Sequence, residues 1–77
     1  MSSERIESRP DLMLGKPVIR GTRIPVELIL RRIGAGASED DILRSYPNLT
    51  REDIRAAVTY AADEIAGRED LDLPESA

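Results

Sequence analysis

Apolar residues recur along the chain with the spacing of amphipathic helices. The first predicted helix begins near Pro25 and carries a stripe spaced by three and four residues, made of Val26, Ile29, Leu30 and Ile33. Proline suits the first helical position, where its missing N–H has no partner in any case. The Gly-Ala-Gly run at residues 34–36 predicts the end of this helix, because glycine accepts the left-handed backbone of a C-cap.

Two further predicted helices each begin with a capping signal. Ser38 followed by Asp41 predicts a capping box for a second helix, which cannot continue past Pro47. Thr50 followed by Asp53 repeats the signal for a third helix, which ends at Gly67 and has an apolar stripe made of Ile54, Ala57, Val58, Ala61 and Ile65. Two capped helices joined by a short proline turn match a helix-turn-helix layout.

The segment before the helices predicts only short strands. Ile6 and the pair Val18–Ile19 can form at most a two-stranded ribbon, which must pack on helices or on a second chain. We expect residues 1–11 to form a flexible arm or an edge strand, residues 12–67 the helical domain and residues 68–77 an acidic flexible tail. The predicted fold is mostly α: a three-helix bundle with a helix-turn-helix layout and a short N-terminal β-ribbon.

The charges are unevenly distributed, although the 77 residues carry a net charge of only −4. Residues 12–33 contain five basic side chains and one acidic side chain, whereas residues 38–77 contain four basic and eleven acidic ones. The first half therefore suits a polyanion and the second a basic partner. Alternatively, the two halves neutralise each other within the fold.

The composition argues for a binding protein and against an enzyme. Without His or Cys, neither a Ser-His nor a Cys-His pair can be built, and a closed zinc site is not expected. The sequence has no glycine-rich phosphate-binding run, so we expect no cofactor. The acidic run at residues 39–41 is interpreted as helix capping rather than as a metal site.

The size of the chain favours association with another protein. A core this small, with no disulfide to reinforce it, is marginal, so we expect a homodimer or an obligate partner. Neither a signal sequence nor a long apolar stretch is present, so we expect a cytoplasmic protein that does not enter a membrane.

The run Gly-Lys-Pro-Val-Ile-Arg-Gly-Thr-Arg-Ile-Pro-Val at residues 15–26 strongly resembles the opening motif of the bacterial family called domain of unknown function 433. The runs at residues 33–38, 41–43 and 46–50 also fall where that family has them. The resemblance implies a homeodomain-like or winged-helix-like helical fold. It further implies a predicted antitoxin, of a kind often encoded beside a small PIN-like nuclease, with two expected roles: neutralising that toxin and repressing its own operon.

Two sets of basic residues are candidates for binding operator DNA. Arg51 and Arg55 share one face at the start of the third helix, where a helix-turn-helix protein reads bases. The alternative is that this segment is only a capped helix start, since the neighbouring acids repel phosphate. The second set lies on the ribbon and consists of Lys16, Arg20 and Arg23. Alternatively, its two arginines pair with acids of the second or third helix and hold the ribbon in place.

The remaining candidate sites concern protein partners. By analogy with antitoxins in general, Arg68, Leu71 and Leu73 of the acidic tail are expected to bind the toxin, with Arg68 pairing with carboxylates of the nuclease site. Self-association is expected through the ribbon and first helix, at Val18, Ile19 and Leu28. The rival interpretations are a stand-alone DNA-binding regulator and a protein-interaction module that never contacts DNA.

Overall fold

The computed structural model describes residues 4–8, 11 and 13–67. It contains β1 (Ile6–Ser8), β2 (Pro17–Ile19), α1 (Val26–Gly34), α2 (Glu39–Ser45) and α3 (Arg51–Gly67). A tight turn, Met13–Gly15, precedes β2. The prediction of a mostly α fold with three helices and a short N-terminal ribbon is thus confirmed.

The ribbon pairs β1 with β2 in antiparallel register, with Ile6 opposite Ile19 and Ser8 opposite Pro17. β2 contacts α1 and β1 contacts α3, so both strands lie against the helices. This packing is what allows an otherwise marginal two-stranded ribbon to persist. Of the two expectations for residues 1–11, the structure therefore has the edge strand at Ile6–Ser8.

α1 starts one residue later than predicted because Pro25 has an extended backbone and serves as its N-cap. Its end follows the prediction. Gly36 has a φ of 99°, its N–H donates to Ile33 O at 2.9 Å, and the N–H of Ala37 donates to Arg32 O at 3.0 Å. This pair of bonds is a Schellman motif, which requires the left-handed residue that glycine supplies here.

Both predicted capping boxes are present. The backbone N–H of Asp41 donates to Ser38 Oγ at 3.1 Å, and the N–H of Ser38 donates back to Asp41 Oδ2 at 3.0 Å. The latter bond is the main reason that the pKa of the Asp41 carboxyl lies below its usual value. At α3, Thr50 and Asp53 exchange the equivalent bonds at 3.2 and 3.0 Å.

The core lies where the ribbon and the three helices meet. It consists of Ile6, Val18, Ile19, Val26, Ile29, Ile42, Leu49, Ile54 and Ala57. The predicted stripes are wrong at Ile33, Val58 and Ile65, which are 38%, 43% and 74% exposed. The periodicity identified the right faces, but α3 runs past the elements that pack against it, and residues 62–67 are all exposed.

Candidate functional site

The loop that joins β2 to α1 is ordered by one threonine hydroxyl. Thr22 Oγ1 donates to Ile19 O at 2.8 Å and accepts from the backbone N–H of Ile24 at 3.0 Å. The N–H of Ile19 also donates to Ile24 O at 3.0 Å, which closes the loop at its base. Gly21 has a φ of 83° between these contacts, a conformation that β-carbon-bearing residues rarely adopt. The Gly-Thr-Arg-Ile-Pro run thus encodes a rigid loop.

Three cations lie on this part of the molecule, and we call Lys16, Arg20 and Arg23 the basic ribbon surface. Lys16 Nζ lies 3.1 Å from Glu27 Oε1, and Arg20 Nη1 lies 3.4 Å from Glu7 Oε1. Arg23 is exposed, and no acidic group of the described residues pairs with it. Of the three predicted residues, Lys16 and Arg20 are therefore paired with acids, whereas Arg23 has no acidic partner among the described residues.

Arg20 does not fasten the ribbon to the helices as the alternative interpretation supposed. Its guanidinium binds Glu7 and the carbonyl of Glu4, both within or beside β1. The ion pair that joins this segment to the helices is made by Arg5, whose Nη1 lies 3.0 Å from Oδ1 of Asp53 on α3. Sequence reasoning missed this pair because the two residues are 48 positions apart.

The start of α3 carries cations that acids of α2 already hold. Arg51 donates to Glu39 Oε1 at 2.9 Å and also to Asp40. Arg55 Nε lies 3.7 Å from Glu39 Oε2. The hydrogen bonds to Asp40 and Glu39 raise the pKa of the Arg51 guanidinium above its usual value. The geometry thus favours a capped and neutralised helix start over a base-reading one.

An apolar groove opens beside α3. Its volume is about 490 Å³, and it is lined by Ile33, Ala37, Glu39, Ile54, Arg55, Val58 and Thr59. Two of these side chains, Ile33 and Val58, are partly exposed members of the predicted helix stripes. Ile65 stands further along α3 and is still more exposed. Exposed apolar groups that cluster in this way are typical of interaction sites.

The residues predicted for dimerisation fall in two environments. Val18 and Ile19 are 0% and 1% exposed, because their side chains fill the chain's own core. The prediction that these two side chains contact a second copy is therefore wrong for this fold. Leu28 is half-buried on α1, and its role in self-association stays a prediction.

The residues predicted to bind the toxin belong to the acidic tail. Arg68, Leu71 and Leu73 lie outside the described residues. Within the described ranges, no group of three or more acidic side chains is arranged to hold a metal ion. The helices in those ranges lack the combination of length and apolar composition that a membrane-spanning helix needs.

Comparison with known proteins identifies relatives across most of the chain. The family described as "Protein of unknown function (DUF433)" matches residues 6–61. The uncharacterized protein y4eO of Sinorhizobium fredii is 43% identical over 75 residues, which cover 94% of this chain and 34% of that protein. The chain thus spans about a third of the length of this curated relative.

A solved structure agrees with the assignment. The crystal structure of a DUF433 member protein from Anabaena variabilis superposes with a TM-score of 0.75 at 36% sequence identity. The match covers 83% of this chain and 65% of the other. The family match over residues 6–61 and the shared fold show that the chain belongs to the DUF433 family.

Proposed function

We propose that the chain is the antitoxin of a bacterial toxin–antitoxin pair and binds and neutralises a small PIN-like nuclease. The observation that carries the proposal is the Arg23 guanidinium, which is exposed on an ordered loop and has no acidic partner among the described residues. The family resemblance of the motif that builds this loop supplies the class of partner.

The chemistry of Arg23 suits such a partner. A guanidinium presents a planar fork of donors that matches a carboxylate in a bidentate pair. A nuclease with a carboxylate-rich site offers such acceptors, and their pairing with arginine would compete with the normal function of the site. Because the Thr22 hydroxyl already orders the loop, little backbone conformational freedom is lost when Arg23 binds.

In the same proposal, the acidic tail also contacts the toxin. Arg68, Leu71 and Leu73 supply a second cation and two apolar groups for the toxin. They lie outside the described residues, so the proposal assigns them contact by analogy alone.

The test uses the product of the gene adjacent to that of this chain as the partner. The tagged wild-type chain is expected to co-purify with it and to restore growth when both are expressed. Arg23→Ala should weaken binding about 10- to 100-fold, because a hydrogen bond between charged groups contributes about 1.5–3 kcal/mol.

Arg44→Ala is the matched control, since Arg44 is 72% exposed on α2 and paired with Asp41. It removes the same charge from another surface and should leave binding unchanged. A neighbouring gene product that does not bind, or full binding by Arg23→Ala, would contradict the proposal.

Operator DNA is a second candidate ligand for the basic ribbon surface. The same uncompensated cation can contact a phosphate, whereas Arg51 is already occupied by Glu39 and Asp40. In fluorescence-anisotropy titrations with the chain's own promoter fragment, Arg23→Ala should flatten the slope of log affinity against log salt by about 0.9. Arg51→Ala should leave the slope unchanged. Equal slopes for the wild type and Arg23→Ala would exclude this surface as the DNA site.

A further inference from the structure

The C-terminal half of α3 carries an apolar strip that the described part of the chain leaves uncovered. Val58 is 43% exposed and Ile65 is 74% exposed, and the strip consists of Val58, Ala62 and Ile65. A helix turns about 100° per residue, so these three side chains point within about 60° of one another. On this flank Thr59 and Ala66 are uncharged, whereas Arg55, one turn before Val58, carries a charge.

The strip and the groove are complementary parts of one surface. Val58 belongs to both, since it lines the groove together with Ile33 and Ile54. Ile65 lies seven residues further along the helix, two turns or about 10 Å away. Within one chain Ile65 cannot enter the groove, because both features are fixed to the same helix. In a second copy, an antiparallel α3 would bring Ile65 against Val58.

We propose that the occupant of the groove is a second copy of this chain, which pairs α3 with α3 in antiparallel orientation about a two-fold axis at Ala62. Each Ile65 then lies in the groove of the partner copy, beside Ile33 and Val58. The arrangement is isologous, so both grooves are filled at once and the assembly closes as a dimer. Alanine at the axis lets the two helices pack at an interaxial distance of about 10 Å, within the usual range for helix pairs.

The charges on α3 are complementary in this orientation. The last turn of α3 has no basic residue, so the partial negative charge at its C-terminal end is not offset within the helix. The Arg55 side chain is 69% exposed, and the 3.7 Å between its Nε and Glu39 Oε2 is longer than the 2.9 Å between Arg51 and the same carboxylate, so Arg55 is the more weakly held of the two arginines. Antiparallel pairing centred on Ala62 places Arg55 of each copy beside the C-terminal end of the other helix. A parallel pair would instead bring the two Arg55 side chains together.

The extent of the surface predicts the strength of the dimer. A 17-residue helix is about 25 Å long, and only its C-terminal half and the groove take part. Such a contact falls at or below the lower end of the roughly 1,200–2,000 Å² that stable interfaces bury. We therefore expect a dissociation constant in the micromolar range. None of these residues belongs to the basic ribbon surface, so the dimer leaves Arg23 of each copy free to bind a partner.

Sedimentation velocity from about 1 to 200 µM tests the dimer directly. The wild type should shift from monomer to dimer across this range. Ile65→Glu should remain a monomer at every concentration while keeping its circular dichroism spectrum, because the side chain is exposed in the single chain. Leu14→Glu is the matched control, since Leu14 is 94% exposed but lies outside α3, and it should dimerise like the wild type.

A disulfide tests the position of the axis. The chain has no cysteine, so Ala62→Cys introduces a single thiol that can pair only with the thiol of another copy. At an interaxial distance of about 10 Å, two Cα atoms that face each other, each about 2.3 Å from its own helix axis, lie about 5 Å apart, within the range of a disulfide. Ala62→Cys should oxidise to a covalent dimer, and Asp63→Cys, turned about 100° away around the helix, should not.

Three results would overturn the proposal. They are a monomeric wild type at 200 µM, an Ile65→Glu variant that still dimerises, and equal oxidation of Ala62→Cys and Asp63→Cys. Each is distinguishable from failure of the proposed antitoxin function, which is measured separately with Arg23→Ala.

Discussion

Asp53 offers the sharpest test of how the ribbon is held on the helices. It is 7% exposed, and its carboxylate accepts from the backbone N–H of Thr50 at 3.0 Å and from the Arg5 guanidinium at 3.0 Å. Asp53→Ala removes both bonds. The first belongs to the capping box of α3, and the second joins α3 to the segment that leads into β1.

The expected loss of stability follows from these two contacts. A helix-capping bond contributes about 1 kcal/mol. A hydrogen bond to a charged group contributes about 1.5–3 kcal/mol when buried, and solvent screening reduces this to about 1 kcal/mol here because the Arg5 side chain is 48% exposed. Asp53→Ala should therefore destabilise the fold by about 2 kcal/mol, which corresponds to a fall in Tm of about 8–16 °C for a domain of this size.

Urea unfolding of four proteins separates the two contributions: the wild type, Arg5→Ala, Asp53→Ala and the double variant. The coupling free energy between Arg5 and Asp53 should be about 1 kcal/mol. Asp53→Asn is the control, because its amide oxygen still accepts from Thr50 while the charge that holds Arg5 is gone. It should lose less stability than Asp53→Ala.

Additivity of the single variants within about 0.3 kcal/mol would refute the reasoning, because it would mean that Arg5 and Asp53 do not interact. An Asp53→Ala variant as stable as the wild type would likewise refute the role of the carboxylate in the capping box.

Three further predictions concern other parts of the fold. The folded-state pKa of Asp41 is lowered from 3.8, so the stabilisation by its carboxylate is present above that pH and is lost as the pH falls through the folded-state pKa. In urea titrations, the loss of stability caused by Ser38→Ala should therefore be smaller at about pH 2.5 than at pH 7, and an equal loss at both pH values would contradict this. Leu14 has a φ of 59° and is almost fully exposed, so Leu14→Gly should relieve backbone strain and stabilise the chain by about 0.5–1 kcal/mol. Thermal melts should show a higher Tm, whereas a lower Tm would show that the leucine makes a stabilising contact. Ile29→Ala should lower the free energy of unfolding in urea by about 2–5 kcal/mol, because Ile29 is fully buried. Ile65→Ala should lower it by less than about 0.5 kcal/mol at protein concentrations below dimerisation, and equal losses would contradict the burial pattern.

The sequence by itself was sufficient to predict the three helices and, to within about one residue, where they begin and end. Helix ends depend on residues within a few positions of one another, so Ser38, Thr50 and Gly36 could be identified from local spacing alone. Apolar periodicity likewise identified the inward faces at Ile29 and Ile54. The Gly-Thr-Arg-Ile-Pro motif is specific enough to indicate the family from the order of its residues alone.

Only the tertiary structure decided which charges are free and which apolar groups are covered. Arg51 and Arg23 look equally suited to an anion in the sequence, but acids of α2 hold Arg51, whereas no acid of the described residues reaches Arg23. Val18 and Val58 both belong to apolar patterns, yet one is buried and the other is nearly half exposed. Such outcomes depend on contacts between residues far apart in the chain, and local spacing carries no information about where separate elements meet.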